Sequence, residues 1–157
     1  MGICEEMMGF MQRHGEGLYM LDMSWNEVIL GCLMEEVVTC CNSLQVCIVN
    51  ERCCDCIRFC HETVMMFGLH LEYYAEVEDL AVGDKVLRIV RDVTRKEHFP
   101  KLICLRFIGL DCYCLCRSQW DVVSEAYQCC LAADVSLYDG NDVLLWGETV
   151  EAIRPIE

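Results

Sequence analysis

The fifteen cysteines of this chain constrain its fold more than any other sequence feature. In a secreted protein so many cysteines would form a disulfide framework. Here the count is odd, several cysteines are adjacent, as in Cys40-Cys41 and Cys129-Cys130, and acids stand at the N-terminus where a signal peptide has bases. We therefore expect a reducing compartment, in which many of the thiols are free and pack as small buried hydrophobic groups.

Without disulfides the fold must depend on a hydrophobic core. The chain has 157 residues, of which 55% are hydrophobic, and a chain of this length can bury roughly two thirds of its unfolded surface. No linker, internal repeat or low-complexity tract divides the sequence. We therefore predict one domain that spans residues 1–157.

The charge balance excludes some classes of partner. The chain has 12 basic and 26 acidic residues, a net charge of -14, and such a surface repels phosphate backbones. Its one short basic patch contains Arg91, Arg95, Lys96 and Lys101, which we interpret as solvated residues. The longest apolar run, residues 28–34, is too short to cross a bilayer. We expect neither direct nucleic-acid binding nor a membrane segment.

Hydrophobic periodicity predicts the order of helices and strands. Apolar residues at helical spacing predict helices at residues 1–13, 25–41, 52–67 and 119–133. Short apolar runs predict strands at residues 18–23, 44–49, 69–77, 85–93 and 102–110. Asp139-Gly140 between two apolar runs predicts a hairpin, because both residues tolerate positive φ. Helices at both ends of a run of strands predict an α+β fold, with a mainly antiparallel sheet and two or three packed helices.

One cluster has the composition of a metal site. Thiolates and imidazole are the ligands that zinc prefers, and four of them can complete a tetrahedral site. The cluster spans nine residues and consists of Cys53, Cys54, Cys56, Cys60 and His61. It predicts a structural zinc. The alternative is a set of reduced cysteines that pack in the core.

A second cysteine group, Cys112-x-Cys114-x-Cys116, alternates along the chain. On a strand such alternation places all three side chains on one face, where they could bind a metal or pack together.

Catalysis by a cysteine nucleophile is the enzyme hypothesis that the sequence offers, because Cys60 precedes His61. Neighbours on a helix point about 100° apart, so adjacency alone does not create a nucleophile and its base. Phosphate-binding loops, nucleophile elbows and zinc-protease motifs are absent from the sequence. We predict that the chain is not an enzyme, and a cysteine-dependent enzyme stays as an alternative.

A short motif could bind another protein. Leu110 and Cys114 have the spacing found in the short helix that docks on elongin-type adaptors of cullin ubiquitin ligases. In that docking mode a helix buries two small apolar anchors in a groove.

The central part of the chain resembles the adenoviral early-region-four 34K-type proteins. The resemblance rests on residues 73–77 (YYAEV), on Lys85-Val86 and on residues 101–107 (KLICLRF). The cysteine-dense stretch from Cys40 to Cys60 after Trp25 is similar to the Cys/His-rich region of that family.

The resemblance implies a function and a location. It implies an early viral protein that binds host proteins and assembles a host cullin–elongin ubiquitin ligase, in the nucleus and the cytoplasm. It also implies that the Cys53–His61 cluster holds zinc. A zinc-stabilised regulatory module that binds proteins without recruiting a ligase is the alternative function.

Overall fold

The computed structural model describes residues 3–24, 31–52, 57–71, 74 and 80–155. The α-helices within these residues are α1 (Ile3–His14), α2 (Gly31–Thr39), α3 (Leu80–Val93), α4 (Arg117–Ala132) and α5 (Gly147–Ala152). The strands are β1 (Met20–Asp22), β2 (Val46–Asn50), β3 (Met66–His70), β4 (Cys104–Ile108), β5 (Ser136–Tyr138) and β6 (Leu144–Leu145). Short 3₁₀ helices lie at Gly15–Gly17 and Cys112–Cys114. Among these helices none combines the length and apolar character that a membrane crossing requires.

The six strands form one sheet in the order in which they occur along the chain. The four pairs from β1–β2 to β4–β5 are all parallel. Only β5 and β6 pair antiparallel. The mainly antiparallel α+β fold expected from the sequence is therefore wrong, and the fold is α/β.

The error arises at residues 85–93, which we predicted as a strand and which belong to helix α3. The buried side chains Val86, Ile89, Val90 and Val93 recur at spacings of three, one and three residues, which is the pattern of one helix face. A helix between β3 and β4 provides the crossover that parallel neighbours require. A strand in its place would have favoured an antiparallel sheet.

The helix predicted for residues 52–67 is also wrong in its described part. Residues 57–65 have no helix, and β3 begins at Met66. Ile57 and Phe59 are nevertheless buried, and the ring of Phe59 packs edge-on against Phe99 with the centroids 5.7 Å apart. Packing against the core therefore holds this segment without helical hydrogen bonds. Residues 53–56 lie outside the described residues.

The hairpin predicted at Asp139-Gly140 is confirmed, but its turn works differently. The five residues 139–143 connect β5 to β6, and Asp142 is the loop residue with positive φ, at 63°. Gly140 is needed instead because the backbone of Gly109 and Leu110 lies close to its Cα. A Cβ there would lie 3.0 Å from the backbone nitrogen of Gly109 and from the carbonyl oxygen of Leu110.

The core lies on one face of the sheet. Parallel neighbours joined in chain order by right-handed crossovers place every connection on the same side. All five described helices contribute buried side chains to one core cluster. The sheet side chains in that cluster alternate along the strands and include Cys47, Val49, Phe67, Leu69, Leu105, Phe107, Leu137 and Leu145.

Candidate functional site

The opposite face of the sheet, which we call the open face, presents apolar side chains outside the core. Strand register aligns the residues of this face in two rows, Met20, Val46, Met66 and Cys104 in the first and Asp22, Ile48, Gly68, Arg106 and Tyr138 in the second. Ile48 is only 6% exposed and its neighbours Val46, Met66 and Ile108 are half-buried, but among the described residues none of the four belongs to the core cluster or packs against it. Because parallel sheets are usually covered on both faces, this face is a candidate binding surface.

Gly68 lies in the second row of the open face, next to Ile48 on β2. A Cβ at this position would lie 2.9 Å from Cδ1 of Ile108 and 3.0 Å from Cγ1 of Ile48. The two isoleucine side chains therefore occupy the space above the glycine. The two isoleucines and the glycine therefore form a closely packed apolar patch across three adjacent strands, in which Ile48 and Gly68 are themselves buried.

An exposed apolar row, which we call the methionine rim, borders the open face where the strands begin. It consists of Tyr19, Met20, Met65 and Ile103, whose exposed fractions run from 40% to 66%. Four backbone hydrogen bonds of 2.8–2.9 Å join Tyr19, Gln45, Met65, Ile103 and Ser136 in sequence across the sheet. The rim is therefore held on a fixed backbone, although its methionine side chains are adaptable.

Few charges interrupt the open face. The Arg106 guanidinium lies over the ring of Tyr138, 5.7 Å from its centroid, and pairs with Asp142 at 2.6 Å. The other charged residue in these rows is the exposed Asp22 on β1, whose carboxylate accepts the N–H of Ser24 at 2.9 Å. Because Asp142 offsets Arg106, the charge that remains is negative.

Glu51 follows β2 at the carboxyl edge of the sheet and is fully buried. Within the part of the chain that the structure describes, neither of its carboxylate oxygens has a hydrogen-bond partner. The backbone N–H of Arg52, which is next in the chain, donates to Asn50 Oδ1 at 2.9 Å. Burial raises the pKa of Glu51 above its ordinary value, although the charge of Lys85 opposes this. No pattern in the sequence indicates this buried carboxyl group.

The predicted zinc ligands are only partly described. Cys53, Cys54 and Cys56 lie outside the described residues, and Cys60 is exposed. His61 is buried, with Nε2 donating to the carbonyl of Cys41 at 2.7 Å and Nδ1 accepting the N–H of Thr63 at 3.3 Å. Within the described part of the chain, no three metal-binding side chains come together.

The predicted adaptor motif does not form one exposed surface. Leu110 is 1% exposed and belongs to the core cluster, and its carbonyl accepts the N–H of Gly140 at 2.9 Å. Cys114 is exposed and ends the 3₁₀ helix Cys112–Cys114. The alternation predicted for Cys112, Cys114 and Cys116 on a strand is wrong, because this segment is a 3₁₀ turn followed by α4.

Several thiols are held in the protonated form. Burial raises the pKa of Cys112 to about 12, with help from the carboxylate of Asp139, and raises that of Cys130 to about 12 as well. Burial also raises the pKa of Cys41 and Cys104. A cysteine nucleophile needs a lowered pKa, so these four cysteines lack that property.

The substitution Asp111→Asn is expected to speed the alkylation of Cys114 several-fold at neutral pH. The Cys114 thiol donates to Oδ2 of Asp111 at 3.5 Å, and this bond and the negative charge raise the pKa of the thiol. Asparagine retains the oxygen that accepts the Tyr113 N–H at 2.9 Å. Iodoacetamide labelling followed by mass spectrometry of each cysteine measures the rate, with the half-buried Cys129 of α4 as the internal control. An unchanged rate at Cys114 would contradict the assignment.

A sequence pattern that marks the core face of the sheet could have predicted the open face opposite to it. Four six-residue segments place apolar residues at their first, fourth and sixth positions. The segments begin at Leu18 (with Leu21 and Met23), at Leu44 (with Cys47 and Val49), at Val64 (with Phe67 and Leu69) and at Leu102 (with Leu105 and Phe107). All twelve side chains lie in the core cluster or pack against it. The same pattern marks the strands of leucine-rich repeats. Here the segments are unequally spaced, so no fixed period reveals them.

Comparison of the chain with models of protein families, with curated proteins and with solved structures finds no match.

Proposed function

We propose that this chain is a protein-binding module whose partner docks on the methionine rim and the adjoining open face. The observation that carries the proposal is the group of four exposed apolar side chains of the rim, three of which, Tyr19, Met65 and Ile103, lie on one continuous backbone ladder with the exposed Gln45 between the first two. Grouped exposed apolar side chains are typical of protein interaction sites. In proteins built from stacked strand and helix units, extended sheet surfaces commonly bind the partner.

The partner we propose is an apolar segment of a different protein that also carries lysine or arginine. The net charge of -14 makes a second copy of this chain a poor occupant, because two such copies repel each other. The same charge attracts a basic partner and speeds its association. On the open face itself, Asp22 and the Arg106–Asp142 pair leave a negative balance that complements a cationic segment.

Substituting Ile103 by lysine on the methionine rim is expected to weaken partner binding roughly tenfold or more, because the charge would be desolvated at the interface and would repel a basic segment. The matched control is Leu131→Lys, because Leu131 is also an exposed apolar residue, at 58%, but lies on α4. Both variants should melt at the temperature of the wild-type chain.

The measurement is purification of tagged full-length chains from cells, quantitative mass spectrometry of the bound proteins, and crosslinking to locate the bound segment. The proposal would be supported by a bound protein that the Ile103→Lys variant no longer recovers and the Leu131→Lys variant still recovers. That protein should also crosslink to the chain through a segment that is apolar and basic. Binding that the rim substitution leaves unchanged, or self-association of the chain at the rim, would refute the proposal.

The resemblance to adenoviral proteins supports a narrower form of this proposal, in which the partner is a host protein and the complex includes elongins and a cullin. The buried position of Leu110 does not favour docking through that residue in the folded chain. Recovery of elongins and a cullin in the same purification would support this form. Their absence, with another partner retained, would leave the binding module without ligase recruitment.

A structural zinc held by Cys53, Cys54, Cys56 and Cys60 is a second part of the proposal. Four thiolates complete a tetrahedral site without His61, whose two ring nitrogens already have hydrogen-bond partners. We expect purified protein to contain stoichiometric zinc, and a chelator to remove it with a fall in Tm. We also expect Cys60→Ser to lose the metal and His61→Asn to keep it. Metal analysis that finds no zinc in protein prepared without chelator would contradict this.

A further inference from the structure

A pocket lies between helices α3 and α4, on the helical side of the sheet. Its volume is about 200 Å³. Leu80, Asp84 and Leu87 line it from α3, and Asp121, Val122 and Glu125 line it from α4. Apolar and acidic side chains therefore share one concave surface, which is separate from the methionine rim.

The apolar part of the pocket suits an aliphatic chain. Leu87 is buried and Val122 is half-buried, so they form a floor, while Leu80 is exposed beside them. The ring of Tyr74 contributes to the lining and is itself almost fully buried. Burial and the neighbouring negative groups raise the pKa of Tyr74 to about 12, which keeps its hydroxyl neutral.

The acidic part of the pocket suits a positive charge. Two of its carboxylates already pair with arginines of this chain, Glu125 with Arg91 and Asp121 with Arg117, the latter at 3.4 Å. Among the ion pairs of the described residues, none includes Asp84. Three carboxylates against two arginines leave a negative balance at the pocket.

We propose that this pocket binds a long cationic side chain, arginine or lysine, from a partner protein. The aliphatic stem would pack on Leu87 and Val122, and the charged end would reach Asp84. Long basic side chains combine these two properties, because the stem is apolar and the head is charged. This contact is separate from the methionine rim, so the module would present two binding surfaces, one on each side of the sheet.

The test uses n-butylguanidinium chloride as the probe and n-butylurea as its neutral analogue of similar shape. Titration of the full chain, followed by NMR signals of the Val122 and Leu87 methyl groups, should show saturable shifts at millimolar guanidinium and much smaller shifts with the urea. Asp84 is exposed. The substitution Asp84→Asn should therefore weaken guanidinium binding about two- to fivefold, which is the effect of removing one exposed charge pair. Asp134→Asn, at an exposed position after α4 that belongs to neither proposed surface, should leave it unchanged.

Absence of saturable shifts, equal shifts with both probes, or equal effects of the two aspartate substitutions would each overturn the proposal. None of these outcomes bears on the methionine rim, because Ile103→Lys and Asp84→Asn change different surfaces.

Discussion

Asp139→Ala is expected to destabilise the protein by about 3 kcal/mol, because it would leave one buried and two partly buried N–H groups without acceptors. Asp139 is fully buried after β5. Its Oδ1 accepts the N–H groups of Asn141 and Val143, each at 2.9 Å, and its Oδ2 faces the N–H of Cys112 at 3.4 Å. One carboxylate therefore organises the β5–β6 loop and connects it to the 3₁₀ turn that follows β4.

Urea unfolding monitored by circular dichroism would measure the loss of stability. The matched control is Asp142→Asn in the same loop. Asp142 is largely exposed and pairs with Arg106, so its substitution should change the free energy of unfolding by about 1 kcal/mol or less. Equal effects of the two substitutions would show that the buried hydrogen bonds of Asp139 do not hold the loop.

The second large effect is expected for Leu110→Ala, which should lower the free energy of unfolding by about 2–5 kcal/mol. The side chain is 1% exposed, and its removal would leave a cavity in the core cluster beside the β5–β6 loop. This prediction bears on ligase recruitment, because a variant that unfolds also loses partners for reasons unrelated to docking.

The free energy of unfolding and the recovery of elongins should therefore be measured on the same variants. Cys114→Ala and Leu131→Ala are the controls, since both side chains are exposed, and each should leave the stability within about 0.5 kcal/mol of wild type. If Leu110→Ala kept full stability and lost elongins alone, the buried role of Leu110 would be refuted and direct docking supported.

Local patterns predicted several elements correctly. The helices near residues 1–13 and 119–133 appear as α1 and α4, and the strands near residues 44–49 and 102–110 appear as β2 and β4. Each has enough apolar residues at one spacing to define a buried face. The helix predicted for residues 25–41 contains α2 in its described part, and residues 25–30 lie outside the described residues.

The secondary-structure prediction failed at residues 85–93, where both the two-residue period of a strand and the 3.6-residue period of a helix fit the apolar residues. Residues 85–93 were read as an alternating strand, although Val86, Ile89, Val90 and Val93 mark one face of α3. This single error changed the fold class, since a helix between β3 and β4 makes those strands parallel. The candidate site could not be predicted either, because the rows of the open face depend on which strands are neighbours and in which register they pair.

The sequence alone determined which apolar side chains are buried in the segments with a clear spacing, because burial there follows from the spacing of apolar residues within the strand or helix. Leu102, Leu105 and Phe107, for example, share one side of their segment whatever lies beside it. Only the tertiary structure decided which strands are neighbours, in which direction they run, and on which face the helices pack. These properties depend on hydrogen bonds between residues far apart in the chain, such as that of Ser136 with Ile103 at 2.9 Å. The open face and the methionine rim exist only because of that arrangement.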